Sequence, residues 1–515
     1  MNKVALISVS NKLGIVPFAQ ELEHLGFAVY ATGKTAQELE SAQIDVSRVE
    51  EITGFPEILG GRVKTLHPKI LGAILANPSD PAHRKDMERH GIEPIGLVVV
   101  NLYPFEEMME AREEEELLRE FIDIGGVSLI RSAAKNYPNV VIVTDPKDYN
   151  WIIEKLKAFG EITAEERRIL AYKAFEHTAH YDATIASYFR TRIPATFPEE
   201  LTLRLKKVED LRYGENPHQK AALYTLPKAR RGIVHARALQ GKQMSFNNYL
   251  DLEAAWNLVR EFEETACVII KHSNPCGAAT SENLSEAFER AFNADSLSAF
   301  GGIVAFNREV DPDTAKKLSE YFLECVIAPD YHSQSLDILK PKKNLRLLAM
   351  TLREVVPIGD FDYRAMTGGF LVQEKDFVSF PPEYKIVTKR EPTQAEWRDL
   401  KFAWKVAKHV KSNAIVLACE HRTVGIGGGQ TSRIDALKNA LLKIQERKTI
   451  ARSVTPLVMA SDGFFPFNDA ILEASQRGVT AIIQPGGSIR DEDSIQAANE
   501  KGLSMVFTGL RHFLH

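Results

Sequence analysis

Up to about residue 190, apolar residues follow two rhythms: short unbroken runs, and longer stretches in which they recur every three or four positions. Val4 to Val9 is a short apolar run that predicts a buried strand. Leu13, Val16, Leu22 and Leu25 follow at helical spacing, and Phe27 to Tyr30 predicts the next strand. Leu97 to Leu102 and Val140 to Val143 are further runs rich in Val and Leu, suited to buried strands. Alternation of this kind points to an α/β domain with a largely parallel sheet. Glu113 to Glu116 lie beside Leu117, Leu118 and Phe121, and read as a solvated helix face. Residues 164–190 predict one long helix, broken by Ile193-Pro194 and Phe197-Pro198. The main boundary falls there, dividing 1–195 from 196–515. The second region is again mixed α/β, with strands near 266–270, 302–306 and 414–418 and surface connections at 340–344 and 390–393. No internal repeat stands out.

Composition changes this picture by exclusion. A chain of 515 residues is too long for one core. With 44% hydrophobic and 26% charged residues it is expected to be an ordinary soluble protein. A net charge of −5 argues against broad nucleic-acid binding, yet leaves room for a local cationic pocket. No run approaches the roughly 20 apolar residues of a membrane span. The polar stretch Ser8 to Lys12 comes too early for a secretory signal, so a cytoplasmic protein is expected. Cys267, Cys276, Cys325 and Cys419 form no CxxC pair and read as small buried hydrophobes.

Several segments carry candidate chemistry. Gly33-Lys34-Thr35 is not a nucleotide-triphosphate loop, because Ala28 stands where the earlier glycine is required. A Thr-Gly-x-Thr turn between strand and helix can nevertheless hold a phosphate, although on sequence alone an ordinary turn is the better reading. Gly425 to Gln430 resembles a dinucleotide fingerprint only superficially; its glycines suit close backbone approach, with Gln430 and Arg433 as polar handles. Lys271-His272-Ser273-Asn274-Pro275-Cys276-Gly277 places a Lys–His pair at a strand end, where the imidazole suits proton transfer and the ammonium suits developing negative charge. Its Pro-Cys pair lacks the further ligands of a zinc deaminase, so no catalytic metal is expected. Gly60 to Pro68 and Arg212 to Gln219 mix cations, hydroxyls and glycines as phosphate–sugar sites do.

Taken in order, ITGFPEILGGRVKTLHP, NLYPF, IDIGGVSLIRSAAKN, LRYGENPHQ, KHSNPCG, SAFGG, GQTSRID and SDGFFPF make the chain resemble, over essentially its whole length, the bifunctional phosphoribosylaminoimidazolecarboxamide (AICAR) formyltransferase/IMP cyclohydrolase family. The resemblance implies a methylglyoxal-synthase-like N-terminal domain, and a C-terminal region of duplicated cytidine-deaminase-like α/β subdomains without zinc. It also implies a homodimer. The co-substrate would be 10-formyltetrahydrofolate, the nucleotides AICAR, formyl-AICAR and IMP, and a structural monovalent cation is possible.

For formyl transfer the resemblance implies His272 as proton acceptor and Lys271 as acid or oxyanion partner. Asn413 with Phe300 and Gly301 would organise the pocket. Arg212, Tyr213, Asn216 and His218 would position the nucleotide, with Gln430, Phe464 and Arg511 as further contacts. For cyclisation it implies Lys64, Tyr103, Asp123 and Lys135, the last two orienting the reacting amide. Ser10, Lys12, Thr32 and Thr35 would hold the phosphate alongside Arg62 and Thr65, with Asn101, Gly125 and Gly126 lining the site. Lys34 departs from the family, which usually carries a second glycine there. A rival reading keeps the transformylase but makes the N-terminal domain a non-catalytic nucleotide-binding module; a wholly non-catalytic regulator is another.

Overall fold

The computed structural model describes residues 2–111, 113–193, 196–226, 232–351, 361–447 and 456–515. The chain divides into two compact units, Met1–Arg204 and Leu205–His515. Pro194 and Ala195, where the sequence places the boundary, lie outside the described residues.

The N-terminal unit is built on β1 (Val4–Val9), β2 (Ala28–Ala31), β3 (Val46–Arg48), β4 (Leu97–Asn101) and β5 (Val141–Val143). All neighbours are parallel, in the order β3-β2-β1-β4-β5. The central strands β1 and β4 are apolar almost throughout because both faces are covered, as parallel sheets require. Gly14, at φ 71, delays the first helix to Ile15–His24. Its buried stripe is therefore Ile15, Phe18, Ala19 and Leu22, while Leu13 stands outside the helix, 71% exposed. The long helix runs from Ala164 to Arg190, started by a capping box between Thr163 and Glu166.

In the C-terminal unit, β6 (Lys206–Leu211) and β7 (Ala221–Thr225) form a separate hairpin. β8 (Arg237–Gln240), β9 (Ala266–Lys271), β10 (Asn274–Thr280), β11 (Ile303–Phe306), β12 (Cys325–Ala328) and β13 (Arg346–Ala349) make half of a large sheet. A hairpin of β14 (Phe361–Met366) and β15 (Gly369–Glu374) follows. The other half is β16 (Lys385–Ile386), β17 (Ile415–Cys419), β18 (Arg422–Gly427), β19 (Leu457–Ser461), β20 (Val479–Gln484) and β21 (Ser504–Phe507).

The sheet order is β16-β21-β20-β19-β17-β18-β10-β9-β11-β12-β13-β8. Read outward from the antiparallel β10–β18 seam, each half has the same succession of strands with the same parallel and antiparallel pairings. The unit is therefore an internal duplication, which the residue pattern did not reveal.

Equivalent helices, Phe246–Val259 and Gln394–Ala407, pack over one core. Just beyond their ends Glu261 accepts hydrogen bonds from Lys408 (2.7 Å) and His409 (3.0 Å). Burial works to raise the Glu261 carboxyl, but these partners hold it down at about 2. Burial pulls the His409 pKa below the usual histidine range, although Glu261 opposes it.

Glycine makes the helix-on-sheet approach possible in both halves. A Cβ on Gly277 would lie 1.9 Å from the Ala291 carbonyl oxygen, and one on Gly425 2.2 Å from that of Ala440. All four cysteines are free and buried. Among the described residues no helix is long and apolar enough to cross a membrane.

Candidate active sites

In the parallel sheet the connections leave β1 and β4 in opposite directions, which opens a crevice beyond their carboxyl ends. Asn101, the last residue of β4, spans it. Its Oδ1 accepts from the N–H groups of Ser10 (2.6 Å) and Asn11 (2.9 Å), and its Nδ2 donates to the Asn11 carbonyl. Beside it, the Thr35 hydroxyl bonds Val9 of β1, and the Thr32 hydroxyl lies 2.8 Å from Ser8 Oγ. The two threonines thus shape the turn from behind, with both hydroxyls directed toward β1. In front of them begins the helix Gly33–Ser41, whose Gly33 and Lys34 N–H groups have no hydrogen-bond partner among the described residues. Only Gly33 has left-handed backbone there, at φ 36; Lys34 sits in the first helical turn and carries no such strain.

Lys12 completes this end of the crevice, donating to Val9 O and, at 3.0 Å, to Thr35 Oγ1. Burial pulls its pKa below the usual lysine range; Glu38 opposes this, while the nearby charges of Lys64 and Lys34 add to it. Free helix amides and three mutually repelling ammonium groups would favour an anion at this end of the crevice.

At its other end, Lys64 Nζ lies 3.5 Å from Tyr103 Oη. Asp123, just before the helix Gly125–Lys135, accepts the Gly126 N–H at 2.7 Å. Burial raises the Asp123 pKa, with that amide, Lys64 and Tyr103 pulling the other way. Tyr181, from the long helix, secures the loop: its hydroxyl accepts the Asp123 N–H at 2.9 Å and donates to the Phe121 carbonyl. Thr65 is buried so close to the helix start that a Cβ on Gly125 would lie 2.8 Å from its hydroxyl.

Two expected residues stand apart. Arg62 is tied to Glu120 and exposed. Lys135 ends the helix that Asp123 precedes, exposed and roughly 15 Å away along the axis at 1.5 Å per residue, so the structure does not bring these two together.

In the C-terminal unit, β9 and β10 are joined by a two-residue turn, His272 (φ 53) and Ser273 (φ 58), between the paired Lys271 and Asn274. Non-glycine residues in this region each cost about 1–2 kcal/mol, an expenditure typical of functional turns. Lys271 Nζ donates to the carbonyls of Phe300 (3.2 Å) and Gly301 (3.0 Å). Gly301 is left-handed, at φ 65.

Asn274 reaches across the seam to accept the Lys411 N–H at 2.9 Å, which sets the hairpin beside Asn413. Asn413 donates through N–H and Nδ2 to the Gln430 carbonyl and accepts from Arg433. Arg433 lies 3.4 Å from Asp462, which is fully buried and also bonds Ser412 and the Ala414 N–H. Phe513 lies under both Arg433 and Arg511. Phe464 is exposed near this tail, next to the fully buried Phe465.

The Arg212–Gln219 turn is closed on itself by Gln219, which bonds Gly214 and Asn216, and Arg212 lies 5.5 Å from the Tyr213 ring. Asn247 tethers it through the Glu215 carbonyl. Arg212, Asn216 and His218 are exposed, and no hydrogen bond among the described residues joins the turn to Lys271 or His272.

Residues 133–443 match the family model described as AICARFT/IMPCHase bienzyme, and residues 14–128 match an MGS-like domain. Bifunctional purine biosynthesis proteins PurH of Persephonella marina and Aquifex aeolicus are each 52% identical to the chain, over 100% and 99% of it and the whole of their own lengths. That of Bacillus subtilis is 48% identical over 100% of this chain and 99% of its own. The chain belongs to the AICARFT/IMPCHase bienzyme family.

For a bienzyme, two separate polar constellations are what the structure has to provide, and each unit holds one. Among the described residues no group of three or more His, Cys, Asp or Glu side chains is placed to hold a metal ion. The sequence motifs missed Tyr181 and Asp462. Tyr181 lies in an unremarkable helical pattern; Asp462, inside SDGFFPF, had a motif to mark it but no partner in sequence to suggest why.

Proposed function

We propose that the chain transfers a formyl group from 10-formyltetrahydrofolate to AICAR and then closes formyl-AICAR to IMP with loss of water. The observation that carries this is family membership over the full length, together with the convergence of Lys271, His272 and Asn413 in one unit and Lys64, Tyr103 and Asp123 in the other. Residues 1–195 are assigned to cyclisation and 196–515 to formyl transfer.

In formyl transfer His272 takes the proton that the AICAR amine loses as it attacks the formyl carbon. Lys271 has three N–H donors, two of them on the Phe300 and Gly301 carbonyls. The third meets the developing oxyanion, where a fixed cation is worth most. Arg433 and Gln430 hold Asn413 so that its remaining amide hydrogen faces the substrate. The C–N bond to the folate nitrogen then breaks, and that nitrogen regains a proton as tetrahydrofolate leaves.

In cyclisation the phosphate sits on the Gly33 and Lys34 amides, Ser10 and Lys12. The carboxamide nitrogen is thereby held against the formyl carbon, and holding is most of the catalysis in a reaction within one molecule. Asp123 accepts the amide proton and returns it to the formyl oxygen, which Lys64 and Tyr103 polarise; that oxygen takes a second proton from the formamide N–H and departs as water as the C=N bond forms.

A homodimer fits two further features. The β14–β15 hairpin exposes Met366, Phe370 and Leu371, and a two-stranded hairpin is marginal without a partner. The exposed Arg212–Gln219 turn would complete the partner's transformylase site. The test is to incubate purified protein with AICAR and 10-formyltetrahydrofolate and identify the nucleotide formed. IMP with tetrahydrofolate is expected; accumulation of formyl-AICAR would refute the cyclisation assignment, and no consumption would refute both.

A further inference from the structure

Two hairpins of the C-terminal unit turn through a pair of left-handed non-glycine residues, and in each an aspartate of the preceding helix grips the turn. Between β9 and β10, Asp251 Oδ1 accepts the Ser273 N–H at 2.6 Å and its hydroxyl at 3.3 Å. Between β17 and β18 the turn is Glu420 (φ 50) and His421 (φ 58), and Asp399 accepts their N–H groups at 3.0 and 2.7 Å. Asp251 and Asp399 occupy equivalent places on the helices Phe246–Val259 and Gln394–Ala407.

We propose that Asp251 is the positioning residue for His272 in formyl transfer, acting through the Ser273 N–H; the assignment rests on the transformylase reading above. A two-residue turn with both φ positive is filled without strain by Asn-Gly, whereas His and Ser resist it. Released from Asp251, the turn relaxes and the exposed imidazole at its tip shifts. Lys271 does not shift with it, because its ammonium is fixed separately by the Phe300 and Gly301 carbonyls. Asp251 therefore sets the distance between proton acceptor and oxyanion partner. Asp399 supplies the same grip to a hairpin that carries neither group, so it separates this role from the general upkeep of the fold.

The experiment compares full-length wild type, Asp251→Ala, Asp251→Asn and Asp399→Ala. Transformylase kcat and KM, cyclisation of supplied formyl-AICAR, and Tm are measured for each. Asp251→Ala should lose about 10²-fold in kcat, the usual effect of a displacement near 1 Å, with KM for AICAR nearly unchanged and cyclisation intact. Asp251→Asn keeps an acceptor oxygen for the Ser273 N–H and should recover to within about 5-fold of wild type. Asp399→Ala should lower Tm as much as Asp251→Ala while keeping kcat. Should Asp251→Ala fail to fold, Asp251→Ser, too short to reach the amide, is read in the same way. Wild-type kcat in Asp251→Ala, or an equal loss in Asp399→Ala, would overturn the proposal. Wild type without formyl transfer would overturn the transformylase reading itself.

Discussion

Gly126→Ala removes no functional group, yet should disable cyclisation. A Cβ at position 126 would lie 2.5 Å from Asp123 Oδ2 and 2.9 Å from Leu102 Cδ2. Carbon and oxygen settle no closer than about 3.3 Å, so the carboxylate must retreat by roughly 0.8 Å. Both obstructing atoms end side chains, so the retreat is easy and the fold survives. The helical preference of Ala over Gly, at most about 1 kcal/mol, offsets part of the remaining repacking. The carboxylate that moves is the one assigned to accept the amide proton. A displacement of this size should lower cyclisation kcat about 10- to 100-fold, or about 1.4–2.7 kcal/mol. Following IMP formation from supplied formyl-AICAR gives kcat and KM, and transformylase turnover on the same sample is the internal control. Unchanged kcat in the folded variant, or an equal loss of formyl transfer, would refute the reasoning.

Other substitutions divide the two chemistries. His272→Ala should lower transformylase kcat about 10²–10⁴-fold while cyclisation of supplied formyl-AICAR continues normally, as paired assays on one preparation would show. Lys34→Gly should raise KM for formyl-AICAR several-fold with kcat unchanged, and the difference should shrink as salt is added. Glu261, held at about 2 against an ordinary value near 4.5, contributes stability that is complete above about pH 4.5 and disappears as the pH falls toward 2. That displacement corresponds to about 3 kcal/mol, so Glu261→Gln should flatten the pH dependence of thermal unfolding in this window. An unaltered slope would mean that the buried ion pair is not what acid breaks.

The sequence shows some of this clearly. The strand runs at β1 and β4 are legible because burial on both faces leaves unbroken apolar runs, and the helix at 164–190 because it opens on Thr163 and Glu166 and contains no Gly or Pro. Leu13 misleads because Gly14 delays the helix, a matter of one backbone angle. The duplication leaves only short matches in the residue pattern, Asp251-Leu252 and Ala255-Trp256 with Asp399-Leu400 and Ala403-Trp404, and Gly277 with Gly425, among side chains that otherwise answer to different neighbours. For the sites, motifs supply the residue types and not the geometry. IDIGGVSLIRSAAKN contains both Asp123 and Lys135, but helical rise separates them. Tyr181 has no motif at all, since its role arises only when the long helix packs beside the Asp123 loop.

The seam between β10 and β18 has a consequence for how such a molecule can change over evolutionary time. One half brings Lys271 and His272, the other Asn413, Gln430 and Arg433, and Asn274 to Lys411 is a stitch between them. On the proposed transformylase reading, neither copy of the duplicated unit owns a complete centre. Once chemistry came to depend on both sides of the join, neither copy could drift, be lost or be exchanged alone. What began as redundancy has become mutual dependence.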